Sequence, residues 1–217
     1  MRTPDFAGSS RLSGLRSPVA GVLLLAAGGW LLGGCALPIP PAQSDLTRYF
    51  VLEQQVHPAG EAGAEPAVTV RVKPVDVPAY LNDRPLAVRR GGNEIHYLEP
   101  MQWGEPLDQG LARNIRLGLG SIPGITVLSR YDAGDKWDYD LKVRVSACEG
   151  SEDRSVRFSL EWVLEPGPNS PLPRRTGSFA GKDLTWDGRA PESLVAALSR
   201  GVTQFCESMA GTLKASR

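Results

Sequence analysis

The chain has 217 residues, 24 basic against 24 acidic side chains and 41% hydrophobic residues. That composition excludes a disordered chain and is long enough for one domain with a real core. A net charge of zero leaves no basic surplus of the kind a nucleic-acid footprint needs, so no nucleic-acid partner is expected.

Residues 19–35 read V-A-G-V-L-L-L-A-A-G-G-W-L-L-G-G-C and follow a leader bearing Arg2, Arg11 and Arg16. An apolar run behind a basic leader, ending in small residues, is the layout of a secretory signal peptide. A membrane-crossing helix would need about 20 apolar residues, and this run is shorter and rich in glycine. An ordinary cleavage site would tend to read A-x-A. Leu32, Gly33, Gly34 and Cys35 instead resemble a lipobox, the cleavage motif of bacterial lipoproteins. The resemblance implies a signal peptide over 1–34 and lipid on Cys35. Two or three acyl chains, at about 0.8 kcal/mol per buried methylene, make such an anchor stable. Ala36 at the next position implies sorting to the outer membrane, with the chain on its periplasmic face. Removing 1–34 takes away three arginines and Asp5, which leaves two more acids than bases.

Residues 35–47 form the lipidated cysteine and a tether. Pro38, Pro40 and Pro41 favour an extended polyproline spacer of about 3.1 Å per residue, a reach on the order of 30 Å. The domain then occupies 48–217. Residues 48–52, R-Y-F-V-L, predict a first strand, and 57–66 predict a loop. Val68, Val70 and Val72 alternate with polar residues, as in a strand with one buried face. Residues 86–88 and 95–97 flank Gly91-Gly92-Asn93 as a hairpin.

Leu107, Leu111, Ile115 and Leu119 predict an amphipathic helix opened by Pro106. Gly118, Gly120 and Gly124 read as its termination. A short strand over 125–128 leads through an acidic loop to the alternating run 141–147, whose antiparallel partner carries Phe158, Leu160, Trp162 and Leu164 inward. A proline-rich loop follows, then a strand over 174–179. A last helix starts at Pro191 with the stripe Leu194, Leu198, Val202, Phe205, Met209 and Leu213. Six or seven strands and two amphipathic helices predict a single α/β domain, a mixed, largely antiparallel sheet-and-helix sandwich.

Searching for chemistry yields little. His57 and His96 are the two histidines, and neither has a nucleophile nearby in a triad pattern. Asp132, Asp135, Asp138 and Asp140 lack the rhythm of a calcium loop, so no metal or cofactor is expected. Cys148 and Cys206 would reach an oxidising compartment, where a disulfide closing so long a loop contributes about 3 to 5 kcal/mol. Two buried thiols acting as small apolar residues are the alternative. Trp103 ahead of a helix either packs as a staple or anchors an interface.

The segments V-T-V-R-V-K-P-V-D-V-P-A-Y-L-N-D-R-P-L-A-V-R at 68–89 and N-E-I-H-Y-L-E-P-M-Q-W-G-E-P-L at 93–107, with R-Y-F-V-L near the start and L-V-A-A-L-S at 194–199, resemble the ABC-type transport auxiliary lipoproteins, of which PqiC is the best-known type. The turn after Tyr80-Leu81 is one residue longer than the family pattern. The resemblance implies a non-enzymatic partner of an intermembrane lipid-transport machine. Its partners would be a periplasmic MCE-domain protein with its inner-membrane transporter, and the lipoprotein would act as a ring of copies docking that assembly to the outer membrane. It also makes Tyr80, Arg84, Pro85, Trp103, Glu105 and Pro106 candidates for the partner interface. A periplasmic lipid carrier, a lipoprotein activator of a cell-envelope enzyme, and an enzyme with a convergent polar pocket are the competing classes.

Overall fold

The computed structural model describes residues 45–54, 68–129 and 136–216. The lipobox residues Leu32, Gly33, Gly34 and Cys35, the tether up to residue 44, His57, Asp132 and Asp135 lie outside them. The described residues belong to the unit Asp45–Arg217.

Eight strands and two helices follow in order: β1 (Arg48–Phe50), β2 (Val68–Val72), β3 (Pro85–Arg90), β4 (Glu94–Trp103), α1 (Leu107–Gly120), β5 (Ile125–Val127), β6 (Tyr139–Ser151), β7 (Val156–Pro166), β8 (Arg175–Ala180) and α2 (Pro191–Lys214). The α/β sandwich expected from the periodicities is present, and so is each anticipated hairpin. β3 and β4, β6 and β7, and β7 and β8 pair antiparallel. Four shorter parallel pairings join these hairpins to the rest: β1 with β4, β2 with β5, β2 with β6 and β3 with β6. Strand β7 runs through Pro166, opposite Tyr139, so the proline-rich loop begins two residues later than its composition suggests.

The long β6 organises the sheet. Its first half pairs with β2 and its last residues with β3, so the chain from 68 to 90 runs along one edge of β6, interrupted by a 3-10 turn at Ala79–Leu81. The other edge of β6 takes β7 and then β8. Alternation explains which face closes. Val68, Val70, Val72, Tyr139, Leu141, Val143, Val145, Leu160 and Leu164 are buried, and the helices α1 and α2 cover them. Opposite that face, Arg71 reaches Asp140 through two hydrogen bonds of 2.8 and 3.1 Å. Lys142 meets Glu165 at 2.7 Å and Arg144 meets Asp76 at 2.9 Å on the same wet surface.

Helix α1 buries Leu107, Leu111, Ile115 and Leu119, spaced four apart as one stripe. Pro106 is its N-cap and Asp108 lies in its first turn, where a carboxylate complements the helix dipole. Gly118 does not terminate the helix as expected. It is buried within it, and a Cβ there would stand 2.6 Å from Cys206 Sγ on α2. The glycine permits close approach of the two helices, and the turn after the helix is made by Ser121 and by Gly124 at φ +85°. In the same way Gly201 of α2 sits under the Phe158 ring.

One irregularity places a charge. Between Val145 and Ala147 the β6–β7 register slips, with Val145 opposite Leu160 and Ala147 opposite Ser159, so Ser146 is an extra, bulged residue. Beyond it the parity reverses: Cys148 pairs with Phe158 in the core and Glu149 pairs with Arg157 on the opposite face.

Candidate functional site

The two motif segments converge on the last turns of β6. Glu149 is fully buried, a costly place for a carboxylate unless donors surround it. Tyr80 Oη donates to its Oε2 at 2.5 Å, Arg89 Nε donates to its Oε1 at 2.6 Å, and Arg157 stands 3.8 Å away. Burial, and then the hydrogen bond to Glu149, push the Tyr80 phenol up to about 12. The bond to Glu149 likewise raises Arg89, and burial raises Tyr97. Tyr97 Oη donates to the Tyr80 carbonyl at 2.9 Å, which ties β4 to the 3-10 turn. Trp103 N–H donates to the Arg84 carbonyl at 2.7 Å. Pro85 opens β3 opposite Gln102.

The motif therefore fastens three pieces of chain, the turn, the β3–β4 hairpin and the end of β6, around one buried carboxylate. Trp103 is 4% exposed and belongs to the core, which agrees with packing and removes it as an anchor that a partner could reach. Glu105 is engaged by Arg113 at 2.5 Å, and the same guanidinium donates to the Leu52 carbonyl at 3.1 Å. Asn114 Nδ2 donates to that carbonyl too, at 3.1 Å. Pro106 is exposed at the helix start, and of the six motif residues only it and Arg84 are exposed.

Cys148 and Cys206 are free and buried, so the structure carries no bond between them. Cys148 faces Phe158 across the ladder, while Cys206 packs on Gly118 of α1. Burial raises both thiols to about 12. Asp138 and Asp140 serve strand pairing: the first accepts from Thr69 N–H at 2.7 Å and the second holds Arg71. Among the described residues no group of three or more His, Cys, Asp or Glu side chains is placed to hold a metal ion, and no helix is long and apolar enough to cross a membrane.

Sequence reasoning missed a surface. Of the four large exposed apolar residues among the described ones, three, Leu46 at 74%, Tyr49 at 59% and Val51 at 52%, lie within six residues at β1. The available signal was that R-Y-F-V-L is apolar at both parities, which fits a strand whose two faces and one edge are all in use. β1 ends its branch of the sheet.

Comparison with solved structures gives the fold. One, the crystal structure of an uncharacterized protein, is 23% identical over 76% of this chain and 97% of its own, with a TM-score of 0.61. Another, protein XCC0632 from Xanthomonas campestris, of the DUF330 family, is 16% identical over 78% of this chain and 96% of its own, with a TM-score of 0.60. No curated protein sequence matches the chain. The family model for the ABC-type transport auxiliary lipoprotein component matches residues 50–210, which takes in the fastened motif, every strand after β1, helix α1 and most of helix α2. The chain belongs to the family of ABC-type transport auxiliary lipoprotein components.

Proposed function

We propose that this chain is an outer-membrane lipoprotein that docks a periplasmic MCE-domain assembly, coupled to an inner-membrane ABC transporter, to the outer membrane for intermembrane lipid transport. The observation that carries the reading is a run resembling a lipobox, Leu32 to Cys35, one short proline-rich stretch of sequence ahead of a domain of the auxiliary lipoprotein family. A lipid on Cys35 supplies the hold on the membrane, and the domain supplies surfaces for proteins. The motif residues support that division, since they are spent on holding the β3–β4 hairpin and the turn to β6. Assembly into a ring of copies would multiply the contacts with one partner.

The lipid-carrier alternative needs an enclosed apolar cavity of roughly 300 Å³ or more. Two concavities in the described residues are grooves bordered by charged side chains, one by Glu53, Glu192 and Glu207 and the other by Lys73, Asp76 and Arg144, and neither has the apolar border that a carrier would need. The test replaces Cys35 by alanine in the full chain and follows membrane fractionation and co-purification with the MCE protein. Loss from the outer-membrane fraction, with loss of the envelope permeability barrier, is the expected result. Retention of both would overturn the reading, as would turnover of a substrate by the purified chain.

A further inference from the structure

The groove between residues 50–53 and helix α2 has the layout of a strand-addition site. Its strand wall runs alongside α2 for several turns: Arg48 pairs with Glu192, Glu53 N–H donates to Ser199 Oγ at 3.1 Å, and Gln54 Nε2 donates to Thr203 Oγ1 at 3.1 Å. Between them lies a volume of about 530 Å³, floored by Phe50, Val195, Ala196 and Ser199. Between the Arg48–Glu192 pair and the Glu53–Ser199 bond the helix wall is seven residues long, which at 1.5 Å per residue is about 10 Å, the length of about three strand residues.

Among the described residues no strand pairs with the outer edge of β1 beside this groove. Phe50 turns its carbonyl to Gly104 N–H next to β4, at 2.7 Å. Main-chain groups alternate in direction along a strand, so Tyr49 and Val51 turn theirs away from β4, where no further strand lies among the described residues, while Glu53 N–H, at the same parity, is taken by Ser199 Oγ. Large exposed apolar side chains of the described residues also concentrate at this place: Leu46, Tyr49 and Val51. An unpaired edge carrying exposed apolar residues is a template that proteins normally cover.

Charge selects the occupant. Glu53 and Glu207 border the groove and neither enters an ion pair among the described residues. Glu192 is taken by Arg48. The lining arginine, Arg200, donates to the Thr185 carbonyl at 3.4 Å.

We propose that the β1–α2 groove binds an extended, basic peptide segment of a partner protein, which adds to the sheet at the outer edge of β1 and lays alternate apolar side chains against Val51 and the Ala196–Ser199 floor. Main-chain hydrogen bonds supply affinity in this mode and side-chain pockets supply selectivity. The groove belongs to the folded domain, so the proposal stands independently of the lipid anchor.

The test uses the full-length lipoprotein in detergent and three fluorescein-labelled peptides of about seven residues, read by fluorescence anisotropy. One alternates valine with lysine, one alternates valine with glutamate, and one is the lysine peptide N-methylated at alternate amides. The lysine peptide is expected to bind saturably, and each of the others to bind about tenfold more weakly. Ala196→Trp, at an exposed helix position, fills the floor and is expected to weaken the lysine peptide about tenfold with the thermal melt unchanged. Glu53→Lys with Glu207→Lys should invert the preference between the lysine and glutamate peptides.

Equal binding of all three peptides, no saturable binding of the lysine peptide, or indifference to Ala196→Trp overturns the proposal. So does a lysine peptide that is ignored while Ala196→Trp converts an oligomer to a monomer, which gives the groove to a second copy. A peptide that is ignored while phosphatidylethanolamine–phosphatidylglycerol vesicles retain a Cys35→Ser chain through Tyr49 and Val51 gives the surface to a bilayer, and equally overturns it.

Discussion

Replacing Glu149 by alanine should unfasten the motif, and the structure fixes the size of the effect. Glu149 is fully buried and accepts from Tyr80 at 2.5 Å and from Arg89 at 2.6 Å. Removing one partner of a buried ion pair costs about 3 to 5 kcal/mol, because the other charge is left without compensation. Arg89 keeps 19% of its side chain in contact with water and recovers part of its solvation by rotating outward. The loss therefore belongs at the lower end, about 3 kcal/mol, or a melting temperature lower by about 6 to 12 °C for a domain of this length. Glu149→Gln keeps an acceptor for one of the two donors and should cost about 2 kcal/mol. Replacing both charges by apolar groups, Arg89→Met with Glu149→Leu, should recover much of the loss.

Urea denaturation of the wild type, Arg89→Met, Glu149→Leu and the double variant gives the coupling energy directly. Hydrogen exchange in Glu149→Ala should rise in residues 79–90 and leave the α1–α2 contact protected. High salt should change the difference little, since a buried pair is poorly screened. A loss below about 1 kcal/mol for Glu149→Ala with additive double-mutant energies would refute the reasoning and leave the cluster a surface ion pair.

Tyr80→Phe removes the phenol that the fold holds near pKa 12. A raised folded pKa contributes stability that is complete below the unfolded value, about 10, and lost as pH rises towards 12, so the alkaline decline in that window should be shallower in the variant by pH-dependent melting. Gly118→Ala forces a Cβ to within 2.6 Å of Cys206 Sγ and 3.2 Å of Gln54 Cδ. Overpacking should outweigh the helix-propensity gain by about 1 to 2 kcal/mol, and Cys206→Ala should relieve it, whereas Gly211→Ala, with nothing within 4 Å of its Cβ, should stabilise the same helix layer by about 0.5 to 1 kcal/mol. With both internal thiols buried and raised to about 12, thiol reagents at neutral pH should react slowly with the native protein, and Cys148 and Cys206 should both titrate once it is denatured without reductant; a titration showing neither would establish a disulfide. Trp103→Ala should lower stability by about 3 to 5 kcal/mol, because the indole is buried.

The sequence by itself determined the local elements and the side of each that closes. Alternation at Val68, Val70 and Val72, the four-residue stripe from Leu107 to Leu119, and the stripe from Leu194 to Leu213 each name a strand or helix and its buried face, since burial of one face imposes that period. The family was also legible, because Tyr80, Arg84, Pro85, Trp103, Glu105 and Pro106 stand in a spacing that short-range chemistry alone would not produce. What those residues do was not. Arg89 and Tyr80 reach Glu149 across sixty or more positions of sequence, and Glu149 faces them only because Ser146 bulges from β6 and reverses the parity of the residues after it.

The strand neighbours belonged to the tertiary structure as well. A period of two says which way a side chain points and nothing about which strand lies beside it, so the parallel pairings of β2 and β3 along one edge of β6 had no local signal. Gly118 read as a helix stop because glycine ends helices more often than it separates them; only the position of Cys206 on α2 shows that a missing side chain lets two helices meet. That β1 ends its branch of the sheet among the described residues is a matter of strand order, and the exposed Tyr49 and Val51 have meaning only once that order is known. Periodicity is a property of neighbouring residues, whereas partnership is set by contacts that the chain makes after it has folded back on itself.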